Sequence, residues 1–143
     1  MEIKGTPSYK KDNRNENIQI YINGHFYPRN NAKISVFDSG FLLGDGVWEG
    51  IRLLNGKMVF FKEHLDRLFH GARELSIDIG KNKEQFTNLI LNTLNVNNME
   101  NGVHIRVIIS RGLKKTPYQH PNANTGKCSI VIIPEYKKAN KAI

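Results

Sequence analysis

The chain has 143 residues, a formal net charge of +8 and one cysteine, Cys128. That length suits one domain with a core of its own, and a lone cysteine cannot form an internal bridge, which fits a reducing compartment. The polar start MEIKGTPSYKKDNRNEN has no apolar signal-peptide core, and no apolar run approaches the ~20 residues that span a bilayer, so the sequence predicts a soluble, cytoplasmic protein.

The basic excess gathers toward the ends, at Lys4, Lys10, Lys11 and Arg14 and again from Lys114 onward. It is lysine-rich and mixed with asparagine, which reads as solvated surface rather than a nucleic-acid footprint. A positive field can still help to draw in anionic substrates.

In chain order, residues 1–17 are charged and Asn-rich and are expected to form a loosely ordered arm. Ile18, Ile20 and Ile22 alternate with polar residues, the strand period. Asn23-Gly24 and then His25-Phe26-Tyr27 complete a hairpin signal. Residues 33–45 are punctuated by glycine and predict a loop with a short strand. Val47 to Leu54 predicts a strand, and Asn55-Gly56 followed by Lys57 to Phe61 predicts a second hairpin. From Lys62 the period changes: Leu65, Leu68, Phe69, Ala72 and Leu75 mark an amphipathic helix. Phe86, Leu89, Ile90, Thr93 and Leu94 mark a second helix over 83–98. Val103 to Arg111 is a strand with alternating faces, 112–127 a polar loop, and Ser129 to Ile133 a short strand closed by Pro134. Strands and helices run in blocks, so the expected fold class is α+β: a two-layer sandwich with a mostly antiparallel sheet and two helices on one face. The expected domain spans 18–134, with 135–143 beginning a linker.

The strand period places Trp48, Gly50 and Arg52 on one face and Val47, Glu49, Ile51 and Leu53 on the other. A large ring, a bare backbone and a guanidinium suit a ligand wall, with Gly50 allowing close approach. An ordinary exposed face with a packed tryptophan is the alternative. Arg106 lies on the face of the 103–111 strand that also carries His104, Ile108 and Ser110. Arginine reads carboxylates bidentately, although a cross-strand acidic partner would serve equally. Arg67 sits beside the apolar helix stripe, on the side of His64, as either a surface ion-pair residue or an anion ligand. The histidines show no metal spacing, no metal site is expected, and Gly44-Asp45-Gly46 follows a loop rather than a buried strand, against a dinucleotide fingerprint. Cys128 reads as a small packed residue.

Together, the runs GDGVWEGIR, NGK and HLDRLFHGA, in this order and spacing, resemble the opening of fold-type IV (class IV) pyridoxal-phosphate aminotransferases, most of all the branched-chain enzymes. The resemblance covers Ile20 to about Glu135. It implies pyridoxal 5'-phosphate as cofactor, with Arg67, the arginine of HLDRL, on its phosphate. It implies substrate contacts from Trp48, where the family more often has Phe or Tyr, and from Gly50, Arg52 and Arg106. The loop after Arg111-Gly112 resembles one that carries carboxylate ligands in D-amino acid enzymes, which makes Lys115 and His120 candidates.

The family's Schiff-base lysine is expected beyond Ile143, so no catalytic residue is assigned here, and Lys137, Lys138 and Lys141 are not given that role. The implied function is that of an N-terminal domain. The parent enzyme would exchange an amino group between a branched-chain L-amino acid and 2-oxoglutarate, as a homodimer, and the chain alone is expected to be inactive. D-amino acid aminotransferase, aminodeoxychorismate lyase and a non-catalytic dimerisation module are the alternatives.

Overall fold

A computed structural model of the chain describes residues 10–138. Its centre is a six-stranded sheet built from β1 (Gln19–Ile22), β2 (His25–Pro28), β3 (Gly46–Leu54), β4 (Lys57–Met58), β5 (Val103–Ser110) and β6 (Ser129–Tyr136). The strand order is β2-β1-β6-β5-β3-β4, and every neighbouring pair is antiparallel. Two long helices, α2 (Phe61–Glu74) and α3 (Lys83–Val96), cover one face, and a short helix, α1 (Ser39–Leu43), precedes β3. This is the α+β two-layer arrangement that the blockwise order of elements predicts.

Both Asn-Gly pairs turn as expected. Asn23 and Gly24 have φ of 48° and 93°, and Asn55 and Gly56 have 51° and 78°. Two successive positive φ values give the twist that lets neighbouring strands continue in register.

The helix-covered face is almost wholly apolar. Ile51, Leu53, Val103, Ile105, Val107, Ile109, Ile130 and Ile132 are buried there against Leu65, Leu68, Ala72, Phe86, Ile90 and Leu94. Phe69 of α2 meets Phe86 of α3 edge-to-face at 5.8 Å, and complete burial of a ring such as Phe86 contributes about 1.5–3 kcal/mol. α2 approaches β3 closely at Gly71, where a Cβ would lie 3.1 Å from Val47 Cγ1. α3 starts on a capping box in which the Asn82 and Gln85 side chains each accept from the other's backbone N–H, satisfying donors that the first turn leaves free.

Four expectations change. Residues 39–43 are helical rather than a strand: Asp38 accepts from the Gly40 N–H at the N-terminus, and left-handed Gly44 ends the helix. The return strand of the second hairpin is only two residues long, because Phe60 adopts a positive φ of 51° and turns the chain straight into α2.

Pro134 does not close the last strand, which runs on to Tyr136 with Pro134 opposite Ile105. A proline is tolerated there because β1 pairs with β6 only at Tyr21 and Ile22, leaving that edge of β6 without a ladder to interrupt. Finally, the segment expected to be a loose arm is fixed over its second half. A short 3-10 turn at Asn13–Asn15 buries Asn15, whose side chain donates to the Tyr136 carbonyl at 2.9 Å and accepts from its N–H at 2.7 Å. Residues 1–9 and 139–143 lie outside the described residues, and Lys141 with them. Among the described residues no helix is long and apolar enough to cross a membrane.

Candidate active-site face

β3 and β5 pair from Gly46–Ser110 to Leu53–Val103, with Trp48 opposite Ile108, Gly50 opposite Arg106 and Arg52 opposite His104. Partners directly opposite each other project to the same side of the sheet. Trp48, Gly50, Arg52, His104, Arg106 and Ile108 therefore share the face that α2 and α3 leave uncovered.

Arg106 lies with its guanidinium carbon 4.0 Å from the centre of the Trp48 ring. Trp48 is 61% exposed, so this cation–π contact sits at the surface. Arg52 donates to the Lys137 backbone carbonyl, which ties the end of β3 to the segment following β6. Neither arginine has an acidic partner among the described residues. Two guanidiniums on neighbouring strands without counter-ions make a surface suited to a carboxylate.

Gly50 has a role that the alternation alone does not reveal. A Cβ at Gly50 would lie 2.8 Å from His104 Nε2. The space kept open by the glycine is thus occupied by the imidazole of the chain itself. Burial, followed by the neighbouring Arg106, Arg52 and Lys137 charges, pushes His104 down to about 4. It is a neutral ring between two cations at neutral pH. Its position two residues before Arg106, on the same face, was visible in the sequence; its seat over Gly50 was not.

Arg67 lies on the other side of β3. Its Nε and Nη2 donate to Glu49 Oε1 and Oε2 at 2.5 and 2.8 Å, and His64 Nδ1 lies 2.7 Å from Glu49 Oε2. The Glu49 side chain is 6% exposed and that of Arg67 is 71% exposed. The Arg67 fork, with the His64 contact adding to it, holds the Glu49 carboxyl below its usual range against the opposing effect of burial. Glu49 is the single acid in the inward row of β3, facing His64 and Arg67 one helical turn apart on α2.

The structure thus brings Trp48, Gly50, Arg52 and Arg106 together and sets Arg67 apart from them across the strand. An anion ligand with a phosphate is compatible with Arg67: the guanidinium is permanently charged and exposed, and its Nη1 carries no hydrogen bond from the described residues.

Lys115 and His120 belong to the loop between β5 and β6 and are exposed. The Lys115 N–H donates to the Ala123 carbonyl at 2.7 Å. His120 Nδ1 accepts from the Asn122 N–H at 3.2 Å, and its ring stacks on Tyr118 with centroids 6.4 Å apart. Neither side chain makes a hydrogen bond or ion pair with the Trp48–Arg106 face. Cys128 is partly buried and its thiol, pushed up by burial, contacts the Ile79 carbonyl. Among the described residues no three His, Cys, Asp or Glu side chains converge as a metal site.

The uncovered face continues from Ile108 across β6 and β1 as an apolar surface. Ile20, Ile22, Ile34, Phe41, Ile108, Val131 and Ile133 line a hollow of about 330 Å³ there, with buried Asp38 at its edge. Asp38 is held by the Ser129 hydroxyl at 2.7 Å. The ligand-like face thus has a basic half and an apolar half.

Comparison with known proteins identifies the family and the fold. A relative from Methanocaldococcus jannaschii, assigned by name as a branched-chain-amino-acid aminotransferase, is 47% identical over 96 residues, 67% of this chain and 33% of its own length. The D-alanine aminotransferase of Staphylococcus haemolyticus is 35% identical over 120 residues, covering 84% of this chain and 42% of its own. Among solved structures, the branched-chain amino acid aminotransferase of Escherichia coli superposes with a TM-score of 0.72 at 21% identity, over 83% of this chain and 41% of that one. At that identity the likeness concerns the fold. The chain therefore spans less than half the length of these relatives. The family model for amino-transferase class IV matches residues 46–142, from the first residue of β3 to beyond the end of β6, and the chain belongs to that family.

Proposed function

We propose that this chain is the N-terminal domain of a pyridoxal-phosphate-dependent aminotransferase that exchanges an amino group between a branched-chain L-amino acid and 2-oxoglutarate. The observation that carries the reading is the register of Gly50 with Arg106. It puts two guanidiniums, neither with an acidic partner among the described residues, beside an exposed indole and on the same sheet as an apolar hollow. A branched-chain amino acid has the matching chemistry, a carboxylate next to a short apolar branch.

In this reading Arg106 and Arg52 receive the substrate carboxylate, and Trp48 shields it from water. Arg67 holds the cofactor phosphate through the guanidinium edge that Glu49 leaves free. The cofactor, when bound, supplies an electron sink for the Cα carbanion. The chain's own part is to bind and orient. The lysine that shuttles the proton is assigned to sequence outside these residues, and the 143-residue chain is proposed to be inactive alone. Exposed Val36, Phe37, Phe41, Leu43 and Leu113 support burial of this side in a homodimer.

The test is an assay of the enzyme formed by this chain with the remainder of its reading frame. L-leucine, L-isoleucine and L-valine should serve as amino donors to 2-oxoglutarate. Arg106→Leu should lower kcat/KM for them about 10- to 100-fold, the worth of a charged hydrogen-bonding partner. Turnover of D-alanine with inert L-substrates would replace this reading with a second one. That second reading is supported by the 35% identity to a D-alanine aminotransferase over 120 residues, and would bring Lys115 and His120 into the site.

A further inference from the structure

Glu49 stands out from its surroundings. Its neighbours in the inward row of β3, Val47, Ile51 and Leu53, are apolar and pack against α2. A carboxylate in such a row is costly to desolvate, and apolar residues would dock the helix without that penalty. Both of its oxygens are nevertheless engaged, one by Arg67 Nε and the other by Arg67 Nη2 and His64 Nδ1. The carboxylate plane is fixed from two sides. Close approach of α2 at Gly71, one turn beyond Arg67, brings the helix near enough for this contact.

The consequence lies on the exposed partner. A guanidinium has five N–H donors, and Glu49 takes one from Nε and one from Nη2. The Nη1 edge remains, on a side chain that is 71% exposed. A surface arginine normally samples many rotamers; this one is anchored at its root by a buried acid.

We propose that Glu49 is a positioning residue for Arg67. It holds the Nε–Nη2 edge so that the Nη1 edge is presented to solvent as a fixed fork for a phosphate monoester. The inference rests on the reading of Arg67 as the phosphate ligand, and adds that the ligand works only when its plane is set by Glu49. Charge alone predicts the opposite: neutralising Glu49 would leave Arg67 more positive and bind an anion better. Positioning predicts that it binds worse.

The experiment titrates the chain with pyridoxine 5'-phosphate, which has no aldehyde to react with lysines, and follows side-chain Nε–Hε resonances by NMR. Wild type, Arg67→Lys and Glu49→Gln are compared, each checked for an intact amide spectrum. The Arg67 Nε–Hε resonance should shift in the wild type. Glu49→Gln should weaken binding about tenfold, as loss of an orienting partner does at other ligand sites. Equal or tighter binding by folded Glu49→Gln overturns the positioning role while Arg67 stands as ligand. Binding by Arg67→Lys as tight as wild type overturns the phosphate reading beneath it. Should Glu49→Gln fail to fold, the wild type decides. A protected Arg67 Hε with hindered rotation about Nε–Cζ supports the proposal, and a freely averaging guanidinium overturns it.

Discussion

Substituting alanine at Gly50 places a methyl group against the imidazole of His104, which supplies the three nearest atoms. The obstacle is the far end of a side chain, so the ring can swing away at small cost. Gly50→Ala should therefore fold, with a change in stability within about 1 kcal/mol as the entropy gained at glycine offsets the lost contact. The expected signature is electrostatic: a displaced ring regains water, and its pKa should climb from about 4 back toward the ordinary 6.5. A ring-proton NMR titration of both proteins measures this, and an unmoved His104 in the variant would contradict the packing described. The same residue sets a pH dependence. The folded state binds the His104 proton less readily than the unfolded chain, so below pH 6.5 the unfolded state takes up more protons. Stability then falls with pH from about 6.5 down to about 4 and levels off below. His104→Gln should remove that part of the slope, as urea midpoints at pH 7 and pH 5 would show. The glycine and the arginine were legible from strand parity, whereas the imidazole between them needed the register of two strands that lie far apart in sequence.

Two asparagines do the work of missing strand residues. Where β1 parts from β6, the Asn97 side chain at the end of α3 accepts from the Gln19 N–H at 2.7 Å and donates to the Gln19 carbonyl at 3.0 Å. Asn15 makes the same reciprocal pair with Tyr136. An amide side chain copies the donor and acceptor of a peptide group, so each closes a ladder that would end with unpaired backbone. Asn97→Ala should cost about 1–3 kcal/mol, the penalty for leaving such groups unsatisfied, by chemical denaturation. Asn15→Ala should cost less and speed hydrogen exchange at Tyr136, and equal exchange in variant and wild type would show that the pair is not holding the strand. Neither role could be read from an Asn-rich sequence, in which these residues look like their solvated neighbours. β3, β5, α2 and α3 were legible because each repeats its period over eight or more residues. α1 has five residues and β4 two, too few for a period to register, and the positive φ of Phe60 has no signature in an aromatic run.

At the scale of the molecule, the two faces of the sheet have different fates. One is sealed by α2 and α3. The other carries Trp48, Arg52 and Arg106 beside the apolar hollow, with Phe41 72% exposed at its rim. Apolar surface of this kind marks a contact region when it is contiguous, and the chain spans 33% and 42% of two relatives that it matches. Both facts support a site completed by chain outside these residues. With pyridoxal 5'-phosphate, L-leucine and 2-oxoglutarate, the 143-residue chain should show no turnover above a protein-free control, and measurable glutamate formation would refute this. The same face should make the chain associate. Phe41→Ser removes an exposed ring and no buried one, so the unfolding free energy should stay within about 0.5 kcal/mol of wild type. Sedimentation velocity should show weaker self-association in the variant. An unchanged distribution would mean that the uncovered face is not where copies of this chain meet, and the contact would then have to be sought among the other exposed apolar side chains, such as Leu75, Leu91 and Val96 on the helical layer.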